Sequence, residues 1–238
     1  MKKLLSIVCA MAILVILPGI LSLNKYVTSL EEQLKQKNEI IAKQEEEINE
    51  LTQVIETRDK ILNGEQLTDD MICIIVSYSE KDTKSNKLKT VNDDVRLKSG
   101  LTSSQINSIL KGTLLENHGE VFLVAEFVYG INAHFLLSVS AHETNWWKSE
   151  FARKRNNLFG WGAYTHNPRL AMYFNDQTHC IMHVAQRLNK LYTSENGKYY
   201  KGATVAAIGS IYATDRRWAE GVIRRSRYIE ERIGVDGC

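Results

Sequence analysis

The stretch SAHETNWWKSEFARKRNNLFGWGAY, residues 140–164, decides how this chain is interpreted. Its first residues close a nearly continuous apolar run, AHFLLSVSAHE, which begins at Ala133 and ends at Glu143. A carboxylate is seldom buried unless it is paired or functional, and partial burial raises its pKa until it can donate a proton near neutral pH. Glu143 is therefore a candidate acid, and the alternative is a residue that faces water in the last turn of a helix.

Helical patterns precede this stretch. Thr102 and Gln105 have the spacing of a capping box, which predicts the start of a helix. The segment GEVFLVAEFVY, residues 119–129, is apolar on most faces and predicts a core helix that stops at Gly130. Asn132 then caps the apolar run described above. These patterns predict a mainly helical domain.

The same residues resemble the glucosaminidase family of bacterial and phage cell-wall hydrolases, glycoside hydrolase family 73. That family typically reads A-x-x-E-T-G-x-G-x-S, followed after a short gap by N-N-L-F-G. The matching residues here are Ala141 or Ser140, Glu143, Thr144, Ser149, Asn156, Asn157, Leu158, Phe159 and Gly160. The leading segment LTSSQINSILKGTLLENHGEVFLVAEFVYGINAHFLL and the closing segment IYATDRRWAEGVIRRSRYI also resemble the family, so the resemblance runs from Leu101 to Ile233.

The resemblance implies a lysozyme-like fold over residues 99–238, mainly α with a small β-hairpin at the cleft. It implies an endo-β-N-acetylglucosaminidase that cleaves the β-1,4 bond following N-acetylglucosamine in peptidoglycan glycan strands, without metal or cofactor. Glu143 matches the catalytic acid, which would protonate the glycosidic oxygen as an oxocarbenium-like sugar forms. The alternatives are a non-catalytic wall-binding scaffold with a degenerate hydrolase head, and a lytic transglycosylase or muramidase.

The second catalytic group stays open. Two-carboxylate glycosidases place a nucleophile about 5 Å from the acid, or a base about 6.5–9.5 Å from it. Asp176 is the only carboxylate between Asn157 and Cys180, and Asp215 is another candidate that could equally be a helix cap. The 2-acetamido group of the substrate can also act as an internal nucleophile. Tyr212 matches a family tyrosine near the cleft and could hydrogen-bond that group, or could be a core aromatic.

Aromatic residues concentrate around the candidate acid, and their faces suit the apolar faces of sugar rings as well as core packing. The residues predicted to bind substrate are Asn157, Phe159, Trp161 and Tyr164. Asn157 could instead fix a turn.

Two positions depart from the family pattern, because Asn145 and Trp147 replace its glycines after Glu-Thr. Glycine usually marks a positive φ or a close approach of the backbone. Asn can adopt a positive φ, whereas Trp does so poorly. We therefore expect a different loop beside Glu143.

Composition and spacing argue against several other functions. The net charge is +2, which does not favour nucleic-acid binding. His179 and His183 have i, i+4 spacing beside Cys180, but no H-E-x-x-H motif and no obvious third ligand accompany them. No two cysteines form a C-x-x-C pair. We expect neither a metal nor a cofactor.

The N-terminal residues predict a membrane anchor over residues 1–24. Lys2 and Lys3 precede an uncharged run from Leu4 to Leu23, which is about the length of a bilayer-spanning helix. The positive-inside rule then places the N-terminus in the cytoplasm and the rest on the wall side of the cytoplasmic membrane. A cleaved signal peptide is the alternative. The C-terminal domain would be exported in either case, and would be secreted or virion-associated if the segment is cleaved or the protein is phage-encoded.

Residues 25–63 predict a coiled-coil stalk. Positions spaced alternately by three and four are mainly apolar: Val27, Leu30, Leu34, Lys37, Ile41, Gln44, Ile48, Leu51, Ile55, Arg58 and Leu62. This pattern favours a weak parallel homodimer, and a single amphipathic helix packed on its own domain is the alternative. Residues 64–98 are predicted to be a linker with a short strand over 71–78, since MICIIVSY is rich in β-branched residues.

Overall fold

The computed structural model describes the backbone of residues 2–81, 87–162 and 171–235, and the side chains in these ranges except those of 2–10, 12–16, 151, 234 and 235. Its contacts divide the chain into two units, Met1–Gln53 and Val54–Cys238. The α-helices of the described residues are α1 (Lys2–Leu62), α2 (Asp69–Ser79), α3 (Ser103–Leu110), α4 (Gly119–Tyr129), α5 (Ala133–Glu143), α6 (Glu150–Arg155), α7 (Gln177–Leu188), α8 (Val205–Tyr212) and α9 (Trp218–Val235).

Residues 25–62 of the predicted stalk lie in helix α1, and the side chains of residues 17–49 are all exposed. Among the side chains that the structure describes, no helix has an apolar stretch long enough to cross a bilayer. The predicted span Leu4–Leu23 falls largely on side chains outside that set. The membrane anchor and the pairing of the stalk therefore stay predictions.

The predicted strand over 71–78 is wrong, because these residues lie in helix α2. The hydroxyl of Thr68 accepts the backbone N–H of Met71, and two aspartates occupy the first turn, where the helix dipole favours negative charge. Ile75 is fully buried in a cluster with Val124 and Val128 of α4. A capped N-terminus and a buried face together outweigh the β propensity of the branched residues.

Residues 87–98 are not a linker but part of the packed domain. Leu88 and Val95 are fully buried. The backbone N–H of Val95 donates to the carbonyl of Ala203, and the carbonyl of Val95 accepts from Asn132. These bonds hold the segment against the start of α5 and against the residues that precede α8.

Helices α3, α4 and α5 confirm the helical predictions. Thr102 and Gln105 form the expected capping box, and α4 ends at Gly130 with a left-handed φ of 63°. The side chain of Asn132 accepts the backbone N–H of Phe135 and so caps α5. Residues 133–141 of α5 are all buried, so α5 is the central helix and carries Glu143 at its C-terminal end.

The predicted hairpin is only partly covered by the structure. The described residues contain no β-strand, and their only bridge is the isolated pair Asp94 and Thr204. Residues 163–170 lie outside the described part of the chain, so the hairpin at the cleft stays a prediction there. The backbone N–H of Met172 donates to the carbonyl of Trp161, which joins the two flanks of that segment.

Candidate active site

The carboxyl group of Glu143 is held between α9 and the loop after α6. Glu143 is the last residue of α5 and is partly buried. The indole N–H of Trp218 donates to its Oε1 at 2.6 Å. Its Oε2 faces Gly160, where an added Cβ would lie 3.1 Å away. Burial raises the pKa of Glu143, and the hydrogen bond from Trp218 partly opposes this rise. Glu143 can therefore stay protonated nearer neutral pH than an exposed glutamate.

Trp218, the first residue of α9, is packed on several sides. It is only 3% exposed, and its backbone N–H donates to the carbonyl of Asp215. A Cβ at Gly209 would lie 2.7 Å from the Trp218 ring, and a Cβ at Gly221 would overlap the His142 ring. Gly209 allows α8 to approach α9, and Gly221 allows α9 to approach α5, so that the indole reaches the acid.

The role of Trp218 was missed by the sequence analysis, which noted it only as part of the closing segment. Its hydrogen bond to Glu143 joins positions 75 residues apart in the chain. Neither local spacing nor composition reveals such a contact, and the family resemblance of the closing segment is the one signal that pointed to it.

Tyr212, at the end of α8, lies at this site as predicted. Its hydroxyl donates to the carbonyl of Phe159 at 2.7 Å. Its ring lies 5.1 Å from that of Trp218 and 6.1 Å from that of Trp161, measured between centroids. Burial raises the pKa of Tyr212 well above its usual value, and the charge of Glu143 adds to the effect. The hydroxyl therefore stays protonated.

Asn157 is fully buried, and its side-chain amide forms hydrogen bonds with the backbone of neighbouring loop residues. Its Nδ2 donates to the carbonyls of Trp161 and Met172, and its Oδ1 accepts the backbone N–H of Trp161. Asn157 therefore fixes the turn that presents Trp161, which is the alternative that the sequence left open.

The three predicted aromatic positions differ in accessibility. The Phe159 side chain is fully buried, so its predicted direct contact with substrate is wrong, although its carbonyl holds Tyr212. Trp161 is partly exposed and packs against Tyr212 and His183. Tyr164 lies outside the described residues.

Both candidate second carboxylates cap turns or helices. Asp176 accepts the backbone N–H of His179 at 2.7 Å and caps α7. Asp215 is exposed and accepts the backbone N–H of Arg217 at 2.9 Å, at the turn before α9. Each carboxylate has a structural task, and no carboxylate contributes to the raised pKa of Glu143.

The loop after Glu143 corrects the expectation about Asn145 and Trp147. The φ angles of Asn145, Trp146 and Trp147 are 48°, 61° and 60°. Each left-handed residue costs about 1–2 kcal/mol. The hydroxyl of Thr144 accepts the backbone N–H of Trp147, whose indole N–H donates to the hydroxyl of Ser140. Trp147 is 4% exposed, so its burial offsets the strain and Trp does adopt a positive φ here.

Replacing Asn145 by glycine is expected to stabilise the protein by about 0.5 kcal/mol, because glycine adopts a positive φ without steric cost. Asn145 is exposed, so no packing is lost. The measurement is the free energy of unfolding by denaturant. Asn175→Gly, at an exposed position without a positive φ, is the control and should be neutral or destabilising. Equal destabilisation of both variants would contradict the strain at Asn145.

His179 and His183 pack as aromatic rings. Their centroids lie 6.1 Å apart at 86°, and Phe174 contacts both rings edge-on. Within the described ranges, no group of three or more His, Cys, Asp or Glu residues is placed to hold a metal ion.

The site lies in a part of the chain that is similar to a known protein family. Residues 119–230 match the family described as Glucosaminidase: Mannosyl-glycoprotein endo-beta-N-acetylglucosaminidase. The matched segment contains Glu143, Gly160, Tyr212 and Trp218.

Two Streptococcus pneumoniae proteins named as endo-beta-N-acetylglucosaminidases, from strains TIGR4 and R6, are 35% identical to this chain over 126 residues, which is 52% of the chain. The chain spans only 19% and 18% of the length of these curated relatives. Among solved structures, a catalytic mutant of S. aureus autolysin E in complex with the disaccharide NAG-NAM is 23% identical, with a TM-score of 0.49 over 71% of this chain and 81% of that chain. S. aureus glucosaminidase B is 19% identical, with a TM-score of 0.47 over 76% and 85%.

Proposed function

We propose that this protein is a peptidoglycan hydrolase with a lysozyme-like head that cleaves the β-1,4 bond following N-acetylglucosamine. The observation that carries the proposal is the partly buried carboxyl of Glu143, which sits in a glucosaminidase domain and receives a hydrogen bond from Trp218. A neutral carboxylic acid at this position suits proton delivery to a poor leaving group.

Glu143 acts as the general acid in the proposed reaction. It transfers its proton to the glycosidic oxygen while the bond from that oxygen to C1 of N-acetylglucosamine breaks, and the leaving sugar departs as an alcohol. Positive charge develops on C1 and its ring oxygen. Water then adds to C1 and returns a proton to Glu143, which restores the acid.

We favour the 2-acetamido group of the substrate as the nucleophile that acts together with Glu143. The carboxylates of Asp176 and Asp215 instead accept backbone N–H groups at a helix start and at a turn. The carbonyl oxygen of the acetamido group would attack C1, and water would then open the cyclic intermediate. Tyr212 donates its only hydroxyl hydrogen to the Phe159 carbonyl, so towards the substrate it can only accept. An acceptor there suits the acetamido N–H, whose acidity rises as its carbonyl attacks.

Digestion of purified cell walls followed by mass analysis of the products tests the proposal. We expect soluble fragments with N-acetylglucosamine at their reducing ends. Muramic-acid reducing ends would contradict it and identify a muramidase, and products lighter by one water would identify a lytic transglycosylase. Sedimentation with walls and no release of soluble glycan would identify a non-catalytic wall-binding scaffold.

We also propose that the head is exported and tethered to the cytoplasmic membrane by residues 1–24. The uncharged run from Leu4 to Leu23 behind Lys2 and Lys3 supports this arrangement. The full-length chain is expected in the membrane fraction after an alkaline wash. A shortened chain in the soluble exported fraction would instead identify a cleaved signal peptide.

The stalk is proposed to pair two copies of the chain. Within the second unit, α1 buries Val54 and Ile61 while the heptad residues Ile55 and Leu62 stay 56% and 42% exposed. These two apolar positions are therefore left largely uncovered by the described residues, which supports pairing through this face. Analytical ultracentrifugation of residues 25–238 should give a concentration-dependent dimer, and a monomer at high concentration would contradict the pairing.

A further inference from the structure

We infer that Trp218 is a positioning residue that decides which oxygen of Glu143 carries the acidic proton. This inference rests on the proposed function of Glu143 as the general acid. It adds that proton delivery occurs from Oε2 alone, on the side of the carboxyl that faces Gly160.

The first step is the chemistry of the indole. A tryptophan Nε1–H can only donate a hydrogen bond. Because it lies 2.6 Å from Oε1 of Glu143, this oxygen must act as the acceptor. In the neutral acid the carbonyl oxygen is the stronger acceptor of the two, so this hydrogen bond favours the proton on Oε2.

The second step is the rigidity of the indole. Trp218 is 3% exposed, its ring packs against Gly209, and the His142 ring lies edge-on to it with centroids 6.3 Å apart. Rotation of the indole away from Glu143 would require movement of α8 or of α5. The assignment of the proton to Oε2 is therefore a lasting property of the folded domain.

Oε2 of Glu143 lies next to Gly160. A Cβ placed on Gly160 would lie 3.1 Å from Oε2 and 3.9 Å from the carboxyl carbon of Glu143. Gly160 therefore places no side chain of its own over Oε2. In the inferred geometry the glycosidic oxygen approaches Oε2, because Oε1 already accepts the indole N–H.

Trp218 also acts after the proton has left. The carboxylate that remains keeps the hydrogen bond to Oε1, which stabilises the charged form in its partly buried position. Loss of the indole N–H is expected to have two effects. The proton can occupy either oxygen, which lowers kcat, and the carboxylate loses its donor, which raises the pKa of Glu143.

The experiment compares Trp218→Phe with Trp147→Phe in the full chain. Both substitutions remove a buried indole hydrogen bond close to the site, but that of Trp147 goes to Ser140 and not to Glu143. The Glu143 pKa is measured by carboxyl carbon NMR with ¹³C-glutamate, assigned by difference from Glu143→Gln. The rate of glycan release is measured against pH on the same samples.

Trp218→Phe is expected to raise the pKa of Glu143, to move the alkaline limb of the pH–rate profile to higher pH, and to lower kcat about tenfold. Trp147→Phe should leave the pKa unchanged. If Trp218→Phe fails to fold, benzothienylalanine at position 218 retains the bicyclic shape and removes only the donor.

An unchanged pKa and an unchanged pH profile in the position-218 variants would overturn the inference. Equal shifts in the Trp218 and Trp147 variants would also overturn it, because a merely structural disturbance would then be responsible. A third outcome separates the two proposals. If Trp218→Phe raises the pKa of Glu143 but the wild-type protein releases no glycan, the hydrogen bond has the inferred effect and the proposed function is refuted.

Discussion

Glu143→Gln is expected to reduce glycan release from purified walls by about 10²- to 10⁴-fold, the usual contribution of a positioned acid. The amide cannot deliver a proton to the glycosidic oxygen, although its oxygen can still accept the hydrogen bond from Trp218. Because a partly buried charge is replaced by a neutral group of the same shape, the free energy of unfolding at pH 7 should be equal or higher.

The control for this prediction is Glu150→Gln in α6. Glu150 is exposed and pairs with Lys154 at 3.1 Å, so its removal should change neither activity nor fold substantially. Rates are measured as soluble reducing ends per unit time, with circular dichroism to verify folding. Undiminished activity of a folded Glu143→Gln variant would remove Glu143 from the proposed role.

Acidification from pH 6.5 to pH 4 is expected to cost the wild-type protein about 3 kcal/mol through His134 alone. His134 is fully buried between α5, α9 and the segment before α3. Its Nδ1 accepts the backbone N–H of Leu88 at 3.2 Å, so in the neutral ring Nε2 carries the hydrogen and donates to the carbonyl of Ser226 at 3.1 Å. A proton on Nδ1 would point at the backbone N–H of Leu88, so that two donors would face each other without an acceptor.

The direction of this effect follows from the depressed pKa. Burial, with a smaller contribution from the charge of Lys87, lowers the pKa of His134 to about 4 against the opposing effect of the Ser226 carbonyl. Above pH 6.5 the ring is neutral in both folded and unfolded chains. As the pH falls towards 4 the unfolded chain binds the proton first, so the stability is progressively lost.

His134→Gln isolates this contribution, because Glu126 and Glu143 have raised pKa values that act in the opposite direction in every variant. The difference in unfolding free energy between pH 7 and pH 4 should be about 3 kcal/mol smaller in the variant than in the wild type. His179→Gln, at an exposed position, should retain the wild-type slope. An unaltered slope in His134→Gln would show that His134 is not responsible.

Local patterns predicted the core of the domain correctly. The Thr102–Gln105 capping box, the apolar run of α4 with its stop at Gly130, and the cap of α5 at Asn132 are all found as expected. The family resemblance also identified Glu143 and Tyr212, which the structure places together. These features depend on hydrogen bonds and apolar spacing within a few residues, and the sequence specifies them directly.

The errors arose where packing overrides local preference. The β-branched residues of 71–78 form α2, because an N-cap and a buried face outweigh their β propensity. The polar segment 87–98 packs on the domain, because Leu88 and Val95 are buried in the core. Trp147 tolerates a positive φ because its ring is buried and bonded to Ser140. Each outcome depends on neighbours distant in the chain.

The sequence by itself determined that α5 is a buried helix and that it ends in an acid, since both properties follow from one apolar run and its last residue. Only the tertiary structure decided what surrounds that acid. The indole at Oε1 and the glycine beside Oε2 come from α9 and from the loop after α6. Their contact with Glu143 requires α9 to pack closely on α8 at Gly209 and on α5 at Gly221, because a hydrogen bond depends on distances that only the packed core fixes.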